Sequence, residues 1–272
     1  TTANEIFISS SESATVQIQQ CTFTDSINKG YIAYIDEDKI EKVSIANCSF
    51  LFSDSENSAA AVLSSRDKIE FIGNTFQKCN SKTIQIECQT LETNSFILRE
   101  NLFIDCFKPP IIYLQTPITN APVIEGNTFD NAAFIDGLIF EFKLKESVSS
   151  ITFKNNTFKN FNIKSQAGGI GFKIENEETS KDLHLSFDEC YFTSNKQEGA
   201  IYCDSNQNKG NTFLTITDCH FHDNQHAEKG GGAIYANTKH DIAIEKCKFT
   251  SNSAEKGASI CIDPDFEGET TG

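Results

Sequence analysis

Arginine is nearly missing from this chain. Of 23 basic residues only Arg66 and Arg99 carry a guanidinium, against 38 acidic residues and a formal net charge of −15. A surface of that sign repels phosphate backbones, so nucleic acid is excluded as an expected partner. No run of about 18 apolar residues is present, so nothing in the sequence reads as a membrane span. Long charge runs and low-complexity tracts are missing too. One elongated domain is therefore expected over residues 1–262, with the polar stretch 263–272 as a tail or the start of a linker. Methionine is absent, and Thr1 opens neither a charged n-region nor an apolar h-region. The expectation is a fragment or processed piece whose targeting and anchoring segments lie elsewhere. There is no CxxC, and Cys21 stands 27 residues from Cys48, which argues against structural zinc.

What the chain does have is a repeat. Nine segments read Cys-x-Phe or Asn-x-Phe, ending in Phe23, Phe50, Phe76, Phe103, Phe129, Phe158, Phe192, Phe221 and Phe249, at intervals of 26 to 34 residues. A period in this range marks a solenoid whose units cannot bury their apolar faces alone. Seven residues before each phenylalanine stand Val16, Val43, Ile69, Phe96, Pro122, Ile151, Leu185, Leu214 and Ile242. Five before stand Ile18, Ile45, Phe71, Leu98, Ile124, Phe153, Phe187, Ile216 and Ile244. Apolar residues two apart with polar ones between them predict a strand with one buried face. The position two before the phenylalanine is Cys or Asn in every copy, and the phase slips just ahead of it, where an inward turn is expected.

A second strand follows each phenylalanine after a variable gap, as in Ala61-Val-Leu63, Ile84-Gln-Ile86, Ile111-Ile-Tyr113, Ala200-Ile-Tyr202 and Ala233-Ile-Tyr235. Its first and third positions are expected inward, and length variation falls in the loops that flank it. Helical repeats need spacings of three and four, propeller blades about 40 residues, and leucine-rich repeats a consensus that is absent here. The fold class is all-β: a right-handed parallel β-helix (a pectin-lyase-like solenoid) of about nine coils, each 26 to 34 residues long.

Gly231-Gly-Ala-Ile234, Gly199-Ala-Ile201 and the segments Phe192-Thr-Ser-Asn195, Phe221-His-Asp-Asn224 and Phe249-Thr-Ser-Asn252 resemble the paired GGA(I/L/V) and FxxN repeats of the chlamydial polymorphic membrane proteins. Similar repeats occur in surface protein families of protists such as trichomonads, whose Asn-, Lys-, Ser- and Phe-rich composition is the closer fit. Full motifs are confined to residues 187–261; earlier coils replace the final Asn by Ser26, Ser53, Cys79 or Cys106. The resemblance implies a β-helical passenger or ectodomain that acts in adhesion.

Ten cysteines raise the question of disulfides. Cys21 with Cys48, Cys79 with Cys106, and Cys190 with Cys219 and Cys247 hold equivalent inward positions of neighbouring coils. Ladder side chains run parallel and do not converge to the Cβ separation of about 3.8 Å that a disulfide needs. Buried free thiols are the expectation, one or two disulfides the alternative. Asn74, Asn101, Asn127 and Asn156 are expected to form an internal hydrogen-bonded stack, and Asn195, Asn224 and Asn252 an external one. Asn47-Cys-Ser49 and Asn155-Asn-Thr157 are glycosylation acceptors, with Asn47 and Asn155 at the turn position.

An enzyme of this architecture acting on uronates would need clustered carboxylates on one strand face. The outward positions beside the phenylalanines (Thr24, Leu51, Gln77, Ile104, Asp130, Lys159, Thr193, His222 and Thr250) offer no such pair on adjacent coils. His220, His222 and His226 form the nearest thing to a metal set, but the stacked neighbours Tyr191, Thr193, Lys248 and Thr250 supply no good third ligand. No catalytic residue, metal or cofactor is expected. In the second strand, Val62, Ile112, Ile139, Ile201 and Ile234 are apolar where the alternation predicts exposure, so they are candidates for a partner surface. On that reading, lysine at Ile201 and Ile234 leaves folding intact and impairs binding. The expected function is a secreted or cell-surface, non-enzymatic repeat protein for adhesion or assembly, its partner the protein or glycan surface of another cell or assembly. The alternatives are a carbohydrate-active β-helix and an architectural rod in a filament or large complex.

Overall fold

In the computed structural model, the described residues are 6–8, 14–24, 33–35, 40–51, 61–63, 68–79, 83–86, 95–106, 111–131, 133–134, 140–144, 148–163, 172–176, 182–196, 199–204, 212–227, 230–237 and 241–262. Among them every regular element is a strand. The upstream arms stack in chain order into a nine-stranded parallel sheet running from Ala14–Gln19 through Ile40–Ala46 and Lys68–Ile72 to Ile242–Glu245. The phenylalanine arms, from Thr22–Thr24 to Lys248–Thr250, form a second nine-stranded sheet. The distal arms make a seven-stranded sheet, from Ile6–Ile8 to Phe172–Asn176, and a separate three-stranded one of Ile201–Asp204, Ile234–Asn237 and Ile260–Ile262. Each strand pairs with its counterpart one repeat away, so the chain is a parallel β-helix.

Register follows the repeat. Ile18, Ile45, Phe71, Leu98, Ile124, Phe153, Phe187, Ile216 and Ile244 are cross-strand partners in sequence. The nine phenylalanines pair in the same way. Their rings stack face to face, with centroids 4.7–5.2 Å apart and interplanar angles of 2–17°. Phe140 meets this column edge-on at Phe129, 5.3 Å away, and also meets Phe153, 5.1 Å away. Rings of this kind dominate the buried interior.

The inward turn between the first two arms lies where the phase slip predicts it. Gln20, Asn47, Gly73, Glu100, Gly126, Asn155, Glu189, Asp218 and Lys246 all adopt the left-handed conformation, with φ of 51–68°. For a residue other than Gly or Asn this costs roughly 1–2 kcal/mol. The turn stays in the ladder nonetheless: the Asn47 N–H donates to the Ile72 carbonyl, and the Glu100 N–H to the Glu125 carbonyl, each at 2.9 Å.

The residue after the turn points inward, and its buried amide needs an acceptor. The next coil supplies it. The Asn74 N–H and Nδ2 both donate to Asn101 Oδ1 at 3.0 Å, those of Asn101 to Asn127 Oδ1 at 3.0 Å, and those of Asn127 to Asn156 Oδ1 at 2.9 and 3.0 Å. The second Nδ2 hydrogen of Asn101 reaches back to the Phe71 carbonyl, 2.9 Å away, and also meets the Arg99 carbonyl. Where cysteine replaces asparagine, sulfur takes over as a weaker acceptor: the Cys190 N–H donates to Cys219 Sγ at 3.4 Å. Cys21, Cys48, Cys79, Cys106, Cys190, Cys219, Cys247 and Cys261 are free thiols. Burial pushes Cys48 and Cys79 above the usual thiol range, so they are packing groups and poor nucleophiles.

On the outer face of the upstream sheet, Glu70 is clamped between Lys42 Nζ at 2.8 Å and Lys68 Nζ at 2.5 Å. Burial works to raise its pKa, but the hydrogen bonds and charge of the two lysines outweigh it and hold the carboxyl below the ordinary range.

Two stability predictions follow from the two networks. Asn101→Ala orphans two buried donors of Asn74 and should cost about 2–4 kcal/mol in urea unfolding, whereas Asn101→Cys should cost less; equal stability of the alanine variant and the parent would refute the ladder's role. Glu70 has a depressed folded pKa, so its contribution is present above the unfolded value of about 4.3 and is lost as pH falls through the folded one. Glu70→Gln should therefore destabilise by about 1–2 kcal/mol at pH 7, with the difference from the parent closing as pH falls through the depressed folded value.

Candidate binding surface

The stripe expected to be exposed on the second strand is core. Ile112, Ile201 and Ile234 are 0%, 1% and 0% accessible. Ile139 lies outside the described residues, as does the side chain of Val62. The error is one of register. Ile84 pairs with Ile112 and not with Ile111, and Ile201 pairs with Ile234 and then Ile260. A slip of one residue moves every side chain to the other face of a strand.

The physical cause of the slip sits at the glycine-rich corner. The Ala200 and Ile201 N–H groups both donate to the Ala233 carbonyl, at 3.2 and 2.8 Å, and those of Ala233 and Ile234 both donate to Ser259 O, at 3.0 and 2.9 Å. Two donors on one acceptor bend the backbone as a bulge does, so simple alternation fails and both members of each Ala-Ile pair are buried. Gly231 enters the bend at φ 76°, and a Cβ on Gly232 would lie 2.4 Å from the Ser253 carbonyl oxygen. The GGA half of the motif is therefore a close backbone approach between coils.

The FxxN half is structural as well. Asn195 and Asn224 are fully buried, so the external role expected for them is wrong. They form a second internal ladder. Asn195 Nδ2 donates to Asn224 Oδ1 at 2.8 Å and to the Phe158 carbonyl at 3.1 Å, and Asn224 Nδ2 donates to Asn252 Oδ1 and the Phe192 carbonyl at 3.0 and 2.9 Å. The preceding residues Ser194, Asp223 and Ser251 hold φ of 54–56°, repeating the geometry of the first turn and aiming the asparagine inward.

With both motif halves committed to the scaffold, the outward positions of the phenylalanine sheet are the candidate contact positions. In chain order the first of these are Thr22, Ser49, Thr75, Leu102, Thr128, Thr157, Tyr191, His220 and Lys248. Most are short and hydroxylic. The column then changes character: Tyr191 stands 45% accessible, and its ring stacks on His220 with centroids 5.1 Å apart. Two residues further along the same strands stand Thr193, His222 and Thr250, with His222 Nδ1 2.9 Å from Thr250 Oγ1. On the other side of Tyr191, Lys159 pairs with Asp130 at 3.0 Å, and Asn160 Nδ2 donates to Asp130 at 2.7 Å.

His220 and His222 do share one exposed strand face, as the alternation requires, but His226 is buried, with its ring 6.0 Å from that of Tyr235. The structure does not bring the three histidines together. Among the described residues no group of three His, Cys, Asp or Glu is placed to hold a metal ion. Asn47 and Asn155, the glycosylation acceptors, are exposed at the left-handed turn. Tyr191 entered the sequence reasoning only as a poor metal partner for His220. Its signal was an aromatic in a column otherwise mostly of threonine and serine.

A family model described as "Right handed beta helix region" matches residues 4–176. Comparison with curated proteins and with solved structures returns no match.

Lysine at both Ile201 and Ile234 places two charges in the core, each costing several kcal/mol to desolvate. The double variant should lose its folded C-terminal coils, read as protease sensitivity and reduced β circular dichroism; a stable, folded double variant would restore the exposed-stripe reading.

Proposed function

We propose that this chain, which belongs to the right-handed β-helix family, is a non-enzymatic surface or secreted repeat protein that mediates adhesion or assembly. The observation that carries this reading is the division of labour within each coil. Inward residues are consumed by two amide ladders and a ring stack, while the outward face of the phenylalanine sheet is a rigid, extended platform ending in Tyr191, His220, His222 and Lys248. Such a platform holds side chains in fixed relative positions and needs no pocket, as suits contact with a large surface. The acidic net charge of −15 disfavours phosphate-rich partners and directs the reading towards proteins or glycans. The FxxN and GGA motifs support the same reading through their likeness to polymorphic membrane proteins of the chlamydial or trichomonad type.

The test is binding of the purified chain to host cells and to a glycan panel, with acidic and neutral polysaccharides assayed for cleavage alongside. Saturable binding without release of reducing or unsaturated ends is expected. Turnover of any polysaccharide would replace this reading with a carbohydrate-active one.

A further inference from the structure

The Tyr191–His220 stack is asymmetric. One face of the Tyr191 ring is covered by His220 at 5.1 Å. The opposite face looks along the ladder towards Thr157, its cross-strand partner on the preceding coil, whose side chain is far too short to form the next ring of the stack. The result is a step on the sheet surface: an aromatic wall at Tyr191 and a hydroxylic floor at Thr157. Neighbouring coils are about 4.8 Å apart, which is the thickness a further stacked ring would fill. The step has a polar flank. Lys159, two residues beyond Thr157 on the same face, is held by Asp130 at 3.0 Å, and Asp130 is itself fixed by the Asn160 amide at 2.7 Å. Thr193 lies two residues beyond Tyr191 on the adjacent strand and completes the hydrogen-bonding side.

We propose that this step is a monosaccharide-binding site, filled by a pyranose whose apolar C–H face lies on the Tyr191 ring and whose hydroxyls are read by Thr157, Thr193 and the Lys159–Asp130 pair. An aromatic ring carries negative charge density on its face, which attracts the weakly positive C–H groups of a sugar; the equatorial hydroxyls then point sideways, to where the polar residues stand. A half-exposed tyrosine backed by a second ring is pre-organised for this contact and loses little side-chain entropy on binding. The Lys159–Asp130 pair offers both donors and an acceptor, as hydroxyl groups require. Sugars that present an unbroken C–H face, such as β-galactosides, fit the wall best. Axial substituents on that face clash with it.

This inference deepens the adhesive reading and rests on it, and the test separates the two. Saturation-transfer NMR with methyl β-D-galactopyranoside should place the strongest transfer on the ring C–H protons, and titration should give weak, saturable binding. Tyr191→Ala should weaken binding at least tenfold, while Tyr191→Phe keeps it. Thr157→Tyr, compared with the parent in unglycosylated protein because it also removes the Asn155-Asn-Thr157 acceptor, fills the step at this half-buried position with another stacked ring and should abolish binding while leaving the circular dichroism unchanged. If the parent binds cells but shows no transfer to the glycoside, or if Thr157→Tyr binds it as the parent does, the site is refuted and adhesion stands on other residues. If the glycoside binds as described but cells do not, the site stands and the adhesive role falls.

Discussion

Everything in this fold depends on disposing of one buried backbone amide per coil. The chain turns from its first arm to its second through a single left-handed residue, and the residue that follows is carried into the interior with its N–H unsatisfied by any strand. An orphaned buried donor costs about 1–3 kcal/mol, and the seven at Cys48, Asn74, Asn101, Asn127, Asn156, Cys190 and Cys219 together would rival the net stability of an ordinary domain. The solution is periodic. A side chain from the next coil supplies the acceptor, and asparagine does so while its own Nδ2 satisfies the following asparagine and a carbonyl one coil back. The amide of one coil is thus paired only when the next coil is in place, which makes folding cooperative along the axis and explains why no repeat is an independent unit. In the central coils, from Asn74 to Asn156, the ladder is built of amides; towards both ends it passes to Cys21, Cys48, Cys190, Cys219 and Cys247, where Sγ accepts at a longer distance and packing carries more of the load.

The phenylalanine column is the apolar counterpart of this arrangement. Isolated aromatic pairs favour offset or edge-on contact, yet here the rings lie within 17° of parallel because the rise of the sheet fixes their separation. Edge-on partners such as Phe140 against Phe129, and Phe187 against Phe192, lock the column from the side. The ladder residue and the stacked ring follow the turn residue by one and three positions, so the same eleven-residue arc delivers both. Its tolerance of insertions is nil, and that is why it carries the repeat.

How much of this the sequence discloses depends on which arc is read. In the upstream and phenylalanine arms the inward residues are spaced by two in every copy and the intervening ones are mostly polar, so the nine copies together fix the parity and register follows. In the distal arm Ile111 and Ile112, Ala200 and Ile201, and Ala233 and Ile234 are apolar at both parities. Alternation there contains no information, because both members of each pair are buried, and at the two Ala-Ile pairs the bend sends two successive N–H groups to one carbonyl. The asparagines of the FxxN motif were misread for a related reason. Strand alternation counted from the phenylalanine puts the third residue outward, but a left-handed residue intervenes and re-aims it. The chemistry was legible in principle, since Ser194, Asp223 and Ser251 precede those asparagines just as Asn47, Asn155 and Asp218 precede the residues of the first ladder, and Asn and Asp are the residues that best tolerate that conformation after glycine.

A scaffold that satisfies its own backbone so completely frees its outward positions from structural duty. At the first outward position of the phenylalanine strands the commonest residues are threonine and serine, which suit an exposed strand and recognise nothing in particular. A departure from that default then carries information that a conserved-looking motif does not. The GGA and FxxN segments are the most recognisable words in the sequence, yet each is spent on geometry. Tyr191 belongs to no motif; its exposed ring costs the fold hydrophobic area and is required by neither ladder. In a solenoid of this kind, function is to be sought where the repeat is broken on the outside while it is kept on the inside, and the coil of Tyr191, with the canonical inward set Phe187, Cys190, Phe192 and Asn195 intact behind it, meets both conditions.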